Sequence, residues 1–170
     1  MSSNIQRGWA VPKSDDFDLR DFAMGVLGIA KENLARDGEL VPIAFVITGD
    51  EICSYTITFE DHDQKTAAYR DLVHEAQGAN GLALVTCNDA YRSSKSGPGE
   101  LESYYPGKLA AEGAPECIML TVSGPAMPVW CVEVPYERKN GAIQFGKETE
   151  SAGDDVAFLD GWAPVKPRIQ

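Results

Sequence analysis

Apolar residues recur along this chain with two different periods, and the switches between them lay out its elements. From Phe17 to about Arg36 they fall at Phe22/Ala23, Val26/Leu27, Ala30 and Leu34, the spacing of one buried helical stripe. Ser14 and Asp16 precede it as capping residues, acids crowd its first turn, and Gly38 stands where the helix should close. Gly25 and Gly28 each weaken such a helix by about 1 kcal/mol relative to Ala; close approach to a sheet is their expected use. Val41–Thr48 is then almost unbroken in its apolar character, which predicts a buried strand that tolerates Pro42 at its start. After the turn Gly49-Asp50-Glu51, Ile52–Phe59 alternates. Cys53, Tyr55, Ile57 and Phe59 share one face; Ile52, Ser54, Thr56 and Thr58 share the other. The two strands read as an antiparallel hairpin.

A second helical stripe, Ala68/Tyr69, Leu72/Val73 and Ala76, spans Gln64–Gln77, with Gly78 or Gly81 to stop it. The stretch Gly81–Ser94 is a third strand that runs straight into Cys87, Asn88, Asp89, Tyr91 and Arg92. A long polar loop, Ser93–Pro115, follows; loops of that length are functional or disordered. Glu116–Ser123 and Val129–Tyr136 are two further strands, and Asn140-Gly141 turns the chain into a short one, Ala142–Phe145. The expected fold is α+β: a single layered domain, a mainly antiparallel sheet with two helices on one face, in the order α-β-β-α-β-β-β-β. Residues 1–13 are expected to be a flexible arm, 14–146 the domain, and 147–170 a tail partly docked through Phe158, Leu159 and Trp162. The element order is similar to that of profilin-like and roadblock-like domains, an analogy that carries no function.

Composition narrows the function classes. The chain has 170 residues, 44% of them apolar, enough for one real core. Its net charge of −11 is spread along the sequence, which argues against a basic patch for nucleic acid or anionic lipid. No apolar run approaches the ~20 residues of a membrane helix, and Met1–Lys13 has no signal-peptide core. The four cysteines, Cys53, Cys87, Cys117 and Cys131, are far apart and each falls in a predicted strand, so buried free thiols in the cytoplasm are expected.

The string Leu84-Val85-Thr86-Cys87-Asn88-Asp89-Ala90-Tyr91-Arg92-Ser93-Ser94, with Asp37–Phe45 before it, resembles a family of small bacterial proteins without an assigned activity, over roughly residues 20–148. The resemblance implies no catalytic residue. Alternation places Ala83, Val85, Cys87, Asp89 and Tyr91 on one face of the third strand, with Arg92 continuing the other. Asp89, Tyr91 and Arg92, under the loop 93–115, are therefore the candidate site of a small enzyme: Asp89 as acid or base, Tyr91 and Arg92 binding substrate. Cys87 is the candidate nucleophile, with His74 the available base. The bland reading has Asp89 in an ion pair and Tyr91 finishing the core. Asp61, His62 and Asp63 are the best metal ligands available, but both acids stand where a helix N-cap belongs. Glu137-Arg138-Lys139 reads as a solvated charged turn. Gly97-Pro98-Gly99 is not a phosphate loop, and no Gly-x-Ser-x-Gly is present.

With no catalytic, metal or cofactor motif surviving its alternative, the leading expectation is a non-catalytic interaction or self-association module. Its partner would be a protein or a second copy, with no nucleic acid, membrane or cofactor. Trp9, Tyr104, Tyr105 and Trp162 lie outside the evident core as possible anchors. An acidic mimic of nucleic acid is the third reading.

Overall fold

The computed structural model describes residues 4–91, 116–125 and 127–152. Eight strands and two helices follow one another as β1 (Ile5–Pro12), α1 (Leu19–Asp37), β2 (Ile43–Ile47), β3 (Glu51–Ile57), α2 (His62–Gly78), β4 (Ala83–Tyr91), β5 (Glu116–Gly124), β6 (Met127–Lys139), β7 (Ala142–Phe145) and β8 (Thr149–Ala152). The strands form one antiparallel sheet in the order β1-β3-β2-β4-β5-β6-β7, with β8 beside β7 on the outer edge of β6. The chain is thus α+β around a single sheet.

The helices do not share a face, and here the expectation from sequence is corrected. Phe45 and Ile47 of β2, with Ala83, Val85 and Cys87 of β4, join Val26, Leu27, Ala30 and Leu34 of α1 in one buried cluster. The intervening residues Ala44, Val46 and Leu84 join Tyr69, Leu72, Val73 and Ala76 of α2 in a second. Side chains alternate across a strand, so α1 and α2 cover opposite faces. The unbroken apolar run of β2 is the cause: a strand apolar on both sides needs cover on both.

Local chemistry sets the boundaries. Asp18, not Ser14 or Asp16, is the N-cap of α1, its side chain accepting from the Asp21 N–H at 2.8 Å. Gly38 closes α1 at φ 78°, its N–H donating to the Leu34 carbonyl. Past α2, Asn80 rather than a glycine takes the left-handed conformation, at φ 56°. Asn140 and Gly141, at φ 53° and 76°, make the tight β6–β7 turn. Gly25 and Gly28 face outward with open space above them, so they serve no close approach to the sheet.

Two segments outside the expected domain belong to the sheet. The expected arm is β1, paired to β3 from Ile5↔Ile57 to Pro12↔Glu51 with a bulge between Arg7 and Ala10. Part of the expected tail is β8, paired to β6 from Trp130↔Ala152 to Glu133↔Thr149. Phe158, Leu159 and Trp162, and the loop 93–115, lie outside the described residues.

Candidate functional site

The end of β4 is built by register. Asp89 stands opposite Ile118 of β5, which stands opposite Val134 of β6. One pair further along, Tyr91, Glu116 and Tyr136 stand abreast. Asp89, Glu116, Tyr136 and Arg138 therefore share the face that α1 covers. Arg138 is anchored at both ends of its fork. It donates to Glu116 Oε2 at 3.0 Å and Oε1 at 3.4 Å, and to the Gly38 carbonyl at 2.6 Å. That last bond ties the C-terminus of α1 to the sheet, where a cation suits the negative end of the helix dipole. The charged turn expected at Glu137-Arg138-Lys139 is thus only half solvated: Lys139 pairs with Glu137 in the open, while Arg138 is committed to Glu116 and Gly38.

Two further polar groups of this cluster are shifted by burial. The Asp89 carboxyl is half-buried and forms no ion pair within 4 Å among the described residues. Burial raises its pKa, Glu116 adds to the rise, and its own backbone N–H, Arg138 and Lys65 oppose it. The Tyr136 hydroxyl is buried beside Arg138, whose guanidinium lies 5.7 Å from the Tyr136 ring centroid and interacts with the phenol. Burial holds that phenol above its ordinary pKa, reinforced by Asp89 and Glu116 and opposed by Arg138. Sequence reasoning missed Tyr136, Glu116 and Arg138 because only the β4–β5–β6 register brings them to Asp89. A carboxylate opening the otherwise apolar Glu116–Ser123 run was the one available signal.

The Asp89 shift has a direct consequence for stability. A carboxyl whose folded pKa is raised makes the native state bind more protons than the unfolded chain between the ordinary and the raised value. Stability therefore falls as pH rises through that interval. Asp89→Asn should accordingly raise the melting temperature at neutral pH, and the gain should vanish below about pH 4, where the unfolded-state Asp is also protonated. Thermal melts of both proteins across pH 3–8 read this directly; equal melting temperatures at neutral pH would contradict it.

The remaining candidates are placed as follows. Cys87 is fully buried in the α1 cluster, and burial pushes its thiol up to about 12, which disfavours a nucleophile. His74 is exposed on α2, on the opposite face of the sheet. It lines a shallow groove of about 480 Å³ with Ile5, Arg7, Tyr55, Asp71 and Glu75. The backbone of Tyr91 closes β4, but its side chain and all of Arg92 lie outside the described residues. Asp61 is the N-cap of α2 and accepts from the Gln64 N–H at 2.8 Å; Asp63 is an exposed acid in the first turn. The His62 side chain lies outside the described residues. Among the described residues no three His, Cys, Asp or Glu side chains gather as metal ligands.

A second surface of interest is the β1 side of the sheet, where no further strand follows among the described residues. Trp9 is 50% exposed and Val11 42%. The Trp9 ring sits 5.7 Å from Phe45, which packs edge-on to Phe22 at 5.2 Å, and Phe22 in turn meets Phe17 at 5.6 Å. The tryptophan is thereby the outer member of an aromatic row that starts in the core. The bulge beside it is held by Ser54, whose Oγ accepts from the Trp9 N–H at 2.9 Å. Tyr104, Tyr105 and Trp162 lie outside the described residues. Among those residues no helix is long and apolar enough to cross a membrane. In comparisons with known proteins, no family, curated protein or solved structure matches the chain.

Proposed function

We propose that this chain is a self-association module whose contact is the β1 edge, two copies adding strand to strand. The observation that carries the reading is an asymmetry between the two sides of the sheet. The outer edge of β6 is covered over Trp130–Glu133 by β8 and over Tyr136–Lys139 by β7. Among the described residues no strand pairs the outer side of β1 over Gln6–Pro12, which carries an exposed Trp and Val. Exposed aromatics seated on a buried cluster have the anchoring character of interface hot spots.

Charge favours a second copy at this place. The chain carries −11 overall, so two copies repel across most of their surfaces. Residues 4–13 contain no acid, and their bases are Arg7, offset by Glu51 at 3.8 Å, and Lys13. The edge is a near-neutral strip on an acidic body. Its backbone is available as well. The Trp9 and Lys13 amides point inward, to Ser54 Oγ and the Asp50 carbonyl, so alternation turns the Ala10 amide outward.

Sedimentation velocity from low to high micromolar concentration tests the proposal. The wild type should shift to a dimer. Trp9→Ala and Ala10→Pro should hold the protein monomeric, while Leu82→Ala, which removes an exposed apolar residue elsewhere, should change nothing. A wild type that stays monomeric, or an Ala10→Pro variant that dimerises equally well, would overturn it.

A further inference from the structure

We propose that the groove between β1 and α2 binds a small zwitterion, a free amino acid with an apolar side chain. The groove offers about 480 Å³, within the roughly 300–1,000 Å³ of small-ligand sites. Tyr55 of β3 belongs to the buried α2 cluster and Ile5 of β1 packs against it, so the base of the groove is apolar. Its two sides carry opposite charges. Arg7 lines it from β1; Asp71, His74 and Glu75 line it from α2. His74 and Glu75 follow Asp71 by three and four residues, so the three share one helical face.

The two sides do not close on each other. Among the described residues Arg7 pairs with Glu51 at 3.8 Å, and neither Asp71 nor Glu75 comes within 4 Å of it. Its Nη2 also donates to Cys53 Sγ at 3.3 Å, which holds the guanidinium on the β1 side and leaves its other N–H groups for a ligand. Glu75 is held on the opposite side by the Tyr55 hydroxyl, which donates to its Oε2 at 3.5 Å. Cation and anions are thus kept apart with a cavity between them. A ligand of both signs spans it, with its carboxylate on Arg7 and its ammonium on Asp71 and Glu75. The end of α2 at Gly78 adds its negative dipole on the ammonium side. A ligand of one sign meets a like charge across the groove, which opposes the pair it makes. Ile5 and Tyr55 give the ligand's side chain an apolar contact.

The test is an NMR titration of the whole chain near neutral pH with three probes: L-leucine, L-leucinamide, which lacks the carboxylate, and isocaproate, which lacks the amine. The expected result is a saturable shift of the Arg7, Tyr55 and His74 amides with leucine, at an affinity about tenfold above that of either analogue. Arg7→Ala should weaken leucine about tenfold and leave leucinamide no weaker. The double variant Asp71→Asn, Glu75→Gln should weaken leucine and leucinamide and spare isocaproate. All three side chains are exposed, and a thermal melt of each variant checks that it is folded. The inference is overturned if leucine gives no saturable shift, if either analogue binds as tightly as leucine, or if either variant binds leucine as tightly as wild type. Trp9 packs on Phe45 in the α1 cluster, on the other face of the sheet. Trp9→Ala should therefore bind leucine normally, which separates this groove from self-association at the β1 edge.

Discussion

Tyr69→Ala should lower the unfolding free energy by about 3–5 kcal/mol, the cost of removing a large aromatic from a packed interior. Tyr69 is 0% exposed and the bulkiest fully buried side chain among the described residues. It belongs to the α2 cluster, with Leu72 and Val73 of its own helix and Ala44, Val46, Tyr55, Ile57 and Leu84 of the sheet. That cluster is the smaller of the two cores, so the neighbours have few ways to collapse into the vacancy. A loss of this size is a large share of the total stability of an ordinary domain. Urea titration followed by far-ultraviolet circular dichroism measures it. A change in midpoint corresponding to less than about 1 kcal/mol would mean that α2 is not packed on the sheet as described.

Gly124→Ala should be the most damaging small-to-large change in the sheet, at about 3 kcal/mol. A Cβ at this position would press on the Leu82 carbonyl oxygen, with Met127 Cγ at 3.1 Å and Sδ at 3.2 Å behind it. A methionine side chain can swing aside. The Leu82 backbone cannot, because its N–H is bonded to the Ile47 carbonyl at 2.7 Å and Ala83 opens β4 next to it. Gly28→Ala is the natural contrast, since a Cβ there meets nothing within 4 Å. Comparison of the two by thermal denaturation separates backbone crowding from any general effect of adding a methyl group.

The elements that could be read from sequence were those whose local pattern agrees with their final surroundings. The β2–β3 hairpin was one, because β2 is apolar throughout and Cys53, Tyr55 and Ile57 do face the same core. The closing turn of α1 was another, because Gly38 is needed at a positive φ. The strand β1 was hidden: Gly8 and the bulge break its alternation, and all of it beyond Ile5 is exposed. The strand β8, Thr149-Glu150-Ser151-Ala152, has no large apolar residue to announce it. Part of its place is set by charge instead. Glu150 pairs with Arg20 at 2.7 Å and accepts from the Trp130 indole at 3.2 Å, while Glu148 just before it pairs with Lys31. Alternation also showed which residues of β4 share a face but not which helix covers them. The candidate site was legible to the same degree: Asp89 stood out at a strand end, while Tyr136 and Glu116 reach it only through two strand registers.

The unequal edges of the sheet bear on stoichiometry. A filament of stacked sheets needs two long free edges per subunit, one to receive the preceding copy and one to offer to the next. Among the described residues this sheet has one, because β6 is occupied over Trp130–Glu133 and Tyr136–Lys139 by the four-residue strands β8 and β7. In the proposed pairing, a copy joined through β1 keeps no second long edge among the described residues, and neither does its partner. Growth therefore stops at two.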